Sequence, residues 1–184
     1  MIEEITIEHE KTILIGLITQ NQDEHKSMEY LDELEFLTYT AGGEVIKRFT
    51  QKVTTPNPKT FIGTGKMEEV RVFVEANDIG TVIFDEELSA AQQKNIEKIL
   101  DCKIIDRTNL ILDIFAQRAQ TSYARTQVEL AQYEYLLSRL AGMWTYLERQ
   151  RGGIGMRVCG GTESYTDSRI VRDRIAGSYT HLRV

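Results

Sequence analysis

Four arginines, Arg149, Arg151, Arg157 and Arg169, bracket the glycines Gly152, Gly153, Gly155, Gly160 and Gly161. That grouping is the most chemically suggestive in the chain. Guanidinium is planar, permanently charged and able to grip a phosphate through two donors at once. Glycine lets backbone N–H groups approach a surface with no side chain in the way. Arginine also stacks on bases. A basic, glycine-rich tip of this kind points to the backbone of a nucleic acid, and to RNA before a plain linker, which would carry more Ser, Pro and Lys.

Other constellations are weaker. Gly63-Thr64-Gly65-Lys66 precedes a helical pattern, and Gly63, Gly65 and Lys66 form a weak candidate anion site at a helix N-terminus. It is not a nucleotide-cradling P-loop, because only one residue separates the glycines and Met67, not Ser or Thr, follows the lysine. Asp85-Glu86-Glu87 follows a strand pattern, where parallel sheets place reactive groups, but reads more simply as a solvated turn before a helix. Asp106-Arg107 reads as an ion pair at a domain junction. No Ser or Thr is paired with a histidine at a spacing that suggests a nucleophile, so no catalytic residue is assigned and no metal site is expected.

Charge divides the chain. Residues 1–106 carry 11 Lys+Arg against 21 Asp+Glu, a net of −10, whereas residues 107–184 carry 11 Arg, no Lys and 7 acidic residues, a net of +4. Such asymmetry suggests an acidic domain joined to an interaction element. The chain has 184 residues, with two cysteines and three histidines, which defines neither a disulfide framework nor a zinc site. No run of about 18 apolar residues exists, and the acidic N-terminus does not resemble a secretory leader. A cytoplasmic setting with no membrane span is expected.

These residues have to be held by elements. The first 107 residues alternate strand and helix patterns. Thr12–Ile18, Val45–Val53, Val82–Phe84 and Lys103–Ile105 read as strands. Between them, helical stripes run through Met28, Leu31, Leu34 and Leu37, then Met67, Val70, Phe73 and Val74, then Ile96, Ile99 and Leu100. Ser27 and Ser89 are read as the residues before the first and third of these helices. Alternation of this length predicts an α/β fold, a small parallel sheet flanked by helices. From Thr108 onward no strand pattern remains. Tyr123, Leu130, Leu137 and Trp144 recur every seventh residue. So do Thr126, Tyr133, Leu140 and Leu147, offset by three. That is an a/d stripe on a helix over 120–150. Helical signals resume at Thr166–Arg172, so the second region, 108–176, reads as an antiparallel helical hairpin with its tip at 151–165, its ~30-residue first arm reaching roughly 45 Å. The return arm is short, so the stripe is expected to expose Leu130, Tyr133 and Leu137.

With these motifs assembled, the chain resembles the HflX family of ribosome-associated GTPases. The resemblance rests on Gly152-Gly153-Ile154-Gly155-Met156-Arg157, Gly160, Thr162, Thr166-Asp167, Arg169 and Arg174-Ile175. It extends upstream to Phe61–Lys66, Phe84–Ser89, Cys102–Thr108, Leu110–Ala119, Gln127–Gln132 and Gly142-Met143-Trp144, and covers residues 10–176. It implies an N-terminal α/β domain (1–107), a helical hairpin and a downstream GTPase domain that uses GTP and Mg2+. It also implies that Arg149, Arg151, Gly152, Gly153, Gly155, Arg157, Gly160, Thr162, Thr166, Asp167 and Arg169 contact ribosomal RNA. The implied partner is the 50S subunit, with 23S rRNA near the peptidyl-transferase region, and the implied role is the splitting or rescue of stalled ribosomes by a monomer. The P-loop pattern of a GTPase domain does not occur in these residues, so no cofactor and no GTP hydrolysis are expected of them.

Val158, Cys159, Gly161, Tyr165 and Ser168 depart from the family's loop, which reads Arg-Gly-Pro-Gly-Glu-Thr at its centre. Residues 177–184 continue no helix pattern of the family, and Ser178–Arg183 match the translation of a sequencing-adaptor end, so 177–184 are expected to be a non-native tail. Two rival readings are a nucleotide- or small-molecule-binding α/β module with a helical oligomerisation stalk, and a free-standing RNA-binding adaptor. The all-arginine second half disfavours the first and the apolar helical stripe disfavours the second.

Overall fold

The computed structural model describes residues 10–19 and 24–150; for residues 24, 138 and 140–150 it describes the backbone alone. The elements run β1 (Glu10–Ile18), α1 (Glu24–Thr40), β2 (Gly43–Lys52), α2 (Thr64–Asn77), β3 (Thr81–Phe84), α3 (Ala90–Leu100), β4 (Lys103–Asp106), α4 (Arg107–Arg118) and α5 (Ser122–Gln150). The chain divides into two compact units, residues 1–88 with 92–110, and residues 89–91 with 111–184.

The first unit is the expected α/β fold. Its four strands are all parallel in the order β2-β1-β3-β4. β1 lies inside the sheet because Ile13, Leu14, Ile15 and Leu17 form a run that is apolar on both faces, and all four are buried. Ile13, Ile15 and Leu17 face one side and form a single core with Val82, Phe84 and Ile104 of the neighbouring strands, Met67, Val70 and Val74 of α2, and Ile96 and Leu100 of α3. On the other side Gly16 lets α1 come close: a Cβ there would stand 3.0 Å from Leu31. Phe61 and Phe84 meet edge to face at 5.5 Å between ring centres, which closes one end of the core.

The helices differ in detail from the sequence stripes. α1 begins at Glu24, so Ser27 is inside it and buried, not before it. Its buried face is Ser27, Leu31, Leu34 and Thr38, and Met28 is 44% exposed. The buried Thr38 hydroxyl is satisfied by the Leu34 carbonyl at 2.8 Å, which is how a polar residue enters that face. Gly42, at φ 91°, then ends the helix as the glycine pair predicts. Ile99, assigned to the apolar face of α3, is 37% exposed, while Ile96 and Leu100 are buried as expected. Ser89 does stand directly before α3.

One irregularity marks the β2 edge. Thr12 pairs with Val45 but Ile13 pairs with Lys47, so Ile46 is an extra residue, a bulge in β2.

In the second unit α5 runs 29 residues from Ser122, close to the expected 120–150. The exposed stripe needs correction. Leu130 is only 8% exposed and Tyr133 and Leu137 are half-buried, while Tyr123 is 62% and Leu136 47% exposed. Among the described side chains Leu130 is the one that leaves water most fully, while the Tyr133 hydroxyl keeps a partner at the surface, donating to Glu129 at 3.1 Å. Leu140, Trp144 and Leu147 have no described side chains.

Candidate functional site

Parallel sheets present their chemistry at the C-terminal ends of the strands, at the point where the strand order reverses. Here β2 lies on one side of β1 and β3 on the other, so that point falls between β1 and β3. Asp85, Glu86 and Glu87 follow β3 at this edge, and Asp106 and Arg107 lie beside them at the end of β4.

The carboxylates are engaged in structure. Arg107 donates from Nη1 to Asp85 Oδ1 at 2.8 Å and from Nη2 to Glu33 of α1, and its guanidinium lies 5.9 Å from the centre of the Tyr30 ring. In place of the expected ion pair with Asp106, Arg107 therefore pairs with Asp85 and Glu33. Asp106 is buried and uses both oxygens otherwise: Oδ1 accepts from the Asn109 N–H at 2.9 Å and Oδ2 from the Leu88 N–H at 3.2 Å. The first bond caps the N-terminus of α4, and the second pins the loop after β3. With Asp106 spent on the Asn109 and Leu88 N–H groups, Arg107, the first residue of α4, takes its partners from α1 and from the loop after β3.

Burial pushes the Asp85 carboxyl above its ordinary range, and the Arg107 hydrogen bond and charge pull it partly back. Glu86 is raised by burial and then by the charge of Asp85. For Arg107 burial opposes the charge, but the two carboxylates outweigh it and the guanidinium is held more firmly protonated. Cys102 is pushed up to about 11 by burial and by the charges of Asp101 and Glu97, so it is a thiol and not a thiolate near neutral pH. Among the described residues no group of three or more His, Cys, Asp or Glu is placed to hold a metal ion.

Gly63 and Lys66 are also committed elsewhere. Gly63 is the N-cap of α2, and its N–H donates to Gln51 Oε1 at 2.8 Å. Lys66 Nζ pairs with Glu69 at 2.8 Å and lies 5.8 Å from the Phe49 ring centre. Gly65 is in the first turn of α2 with open space around it. An anion here would have to draw Lys66 away from Glu69. These residues do not fit GTP with its magnesium, since the lysine is paired and the metal-holding Ser/Thr is Met67.

Arg149 lies on the last turn of α5, where only the backbone is described. Arg151, Gly152, Gly153, Gly155, Arg157, Gly160, Thr162, Thr166, Asp167 and Arg169 lie outside the described residues. So do the departures at Val158, Cys159, Gly161, Tyr165 and Ser168, and the tail 177–184. Glu33 is the participant that sequence reasoning missed. It is one of several acidic residues on α1, and nothing local marks it as the partner of Arg107.

Comparison with known proteins adds identity to this geometry. A family model described as the GTP-binding GTPase N-terminal region matches residues 28–116, and one described as the GTP-binding GTPase middle region matches residues 118–183. The chain is 70% identical over 176 residues to a GTPase HflX of Flavobacterium psychrophilum, covering 96% of this chain and 43% of that protein. It is 47% identical over 167 residues to the GTPase HflX of Escherichia coli, covering 90% of this chain and 38% of that one. Among solved structures, a GTP-binding protein from the archaeon Sulfolobus solfataricus in complex with GDP superposes with a TM-score of 0.64 at 21% identity, covering 94% of this chain and 45% of that chain. That likeness supports the fold. The parallel sheet and the two consecutive matches define the class: the N-terminal and middle regions of a GTP-binding GTPase. Within that class, the chain belongs to the HflX family, and it spans less than half the length of the relatives named here.

Proposed function

We propose that this chain is the ribosome-engaging portion of an HflX-type GTPase. In this reading residues 1–107 are the anchoring domain, and residues 108–176 are a helical hairpin that carries the tip at 151–165 to 23S rRNA of the 50S subunit near the peptidyl-transferase region. Engagement helps to split or rescue stalled ribosomes in the cytoplasm, with the protein acting as a monomer. GTP and magnesium are handled in the share of the relatives' length that these residues do not match. The observation that carries the reading is the pair of family matches that together run through residues 28–116 and 118–183. The charge division supports it, since net +4 accompanies an all-arginine second half.

The test is cosedimentation of the chain with purified 50S subunits across a salt series. Each phosphate contact releases counterions, so affinity should fall steeply with salt, and Arg151→Ala should reduce the slope by roughly one unit. Restoring Val158, Cys159, Gly161, Tyr165 and Ser168 to the family's pattern should tighten binding. Equal affinity and slope for all versions would remove the tip from recognition, and absence of cosedimentation would overturn the reading.

A further inference from the structure

α1 presents a second flank whose apolar side chains stay exposed. At about 100° per residue, Met28, Phe36 and Tyr39 fall on one flank of the helix, away from buried Leu31 and Leu34. They are 44%, 71% and 70% exposed. Arg48 of β2 reaches Asp32 and Glu35 on the same flank, which fixes the pairing of helix and strand. α1 runs antiparallel to the parallel strands. Ile46, two residues before Arg48, therefore lies toward the Phe36–Tyr39 end of α1. It is the bulged residue and is 39% exposed. Phe36 and Tyr39, three residues apart, are neighbours on this flank, and Met28 lies two turns further toward the start of α1, beyond Asp32. Clustered exposure of this kind marks an interaction site, where scattered apolar residues would not.

The fringe of the patch indicates what covers it. α1 carries Glu24, Glu29, Asp32, Glu33 and Glu35 against one lysine, Lys26. Of the cations that reach this helix, Arg48 is already shared between Asp32 and Glu35 and Arg107 takes Glu33, which leaves the five carboxylates in excess. A phosphate backbone would meet net negative charge here and be repelled. A polypeptide with apolar side chains among Lys and Arg would match both the aromatics and the acidic rim. Proteins that coat an RNA particle carry such segments, because they must neutralise phosphate.

We infer that the Phe36–Tyr39 face of α1 docks a basic segment of a protein of the large ribosomal subunit, and does not dock RNA. This inference rests on the ribosome reading given above and adds to it a protein contact on a different element from the tip.

The experiment places a photoactivatable benzophenone amino acid at Phe36 in the full chain, with purified 50S subunits as the probe. After irradiation the adduct should resist ribonuclease, be lost to protease and contain one ribosomal protein. In parallel, Phe36→Glu, which alters a 71% exposed side chain, should weaken 50S binding roughly fivefold with an unchanged circular dichroism spectrum. An adduct to RNA, an adduct of two copies of this chain, or no adduct while the chain still cosediments would each overturn the protein contact alone. Failure of the unmodified chain to cosediment would overturn the ribosome reading and this inference together.

Discussion

The two units use apolar residues in different ways. In the sheet unit each stripe meets another from the same unit. Ile13 and Ile15 of β1 face Met67, Val70 and Val74 of α2, and the largest of these side chains are excluded from water entirely. α5 carries a stripe as regular, yet its described members range from Leu130 at 8% exposure to Tyr123 at 62%. A strand pattern followed by a helix pattern contains both halves of its own packing. A heptad stripe contains one half, and its depth of burial depends on what lies opposite each turn. The same kind of periodic signal therefore carries more information in the first unit than in the second.

The comparison breaks most visibly at Phe84. It is fully buried and packed against Phe61, so Phe84→Ala should cost about 3–5 kcal/mol and abolish a cooperative urea transition of the sheet unit. A shift below 1 kcal/mol would mean that this core is loosely packed. Within α5 the gradient can be read directly. Leu130→Ala should cost about 2 kcal/mol or more, whereas Tyr123→Ala should cost less than about 0.5 kcal/mol. Equal losses would show that depth along the stripe does not decide stability.

Smaller effects belong to the end of β4. Asp106→Ala removes the cap of α4 and leaves the Leu88 N–H without its carboxylate, a loss of about 1–2 kcal/mol. Faster hydrogen exchange at Asn109 and Leu88 would accompany it. The smallest effect is at Glu86. Its folded pKa is raised, so the folded state holds its proton more tightly than the unfolded state. Its contribution is favourable at low pH and is lost as pH rises from the ordinary carboxylate value through the folded value. Glu86→Gln should flatten that part of the stability–pH curve and stabilise the protein at pH 7 by at most about 0.5 kcal/mol. An unchanged curve would mean that Glu86 is as well solvated in the folded as in the unfolded chain.

The sequence is most informative where burial is two-sided. Thr12–Ile18 and Val82–Phe84 read as strands because a continuous apolar run is what a covered strand requires, and both are strands. Met28 and Ile99 mislead because residues at the flank of a helical stripe lie near the boundary between core and water, and a rotation of a few tens of degrees decides their exposure. Ser27 and Thr38 do the reverse: both are polar and both are buried on α1. The Arg107 site was half legible. Asp85 and Arg107 stand at the ends of neighbouring strands, a position that strand order can supply, but Glu33 reaches them from a helix whose azimuth no local pattern fixes. For Lys66, the i,i+3 pair with Glu69 is visible in the sequence and would have signalled a lysine already in use.

The boundary between β4 and α4 contains no linker: Asp106 ends the strand and Arg107 begins the helix. In mechanical terms this is a clamped joint and not a hinge. Two successive residues anchor the chain in different directions, Asp106 to the backbone of Leu88 and Asn109, and Arg107 to side chains on α1 and at the end of β3. A pull along α4 loads these attachments in parallel, so no single torsion can yield and all must be released before the helix start swings free. Stiffness at that point comes from the distribution of the load and not from the strength of any one bond.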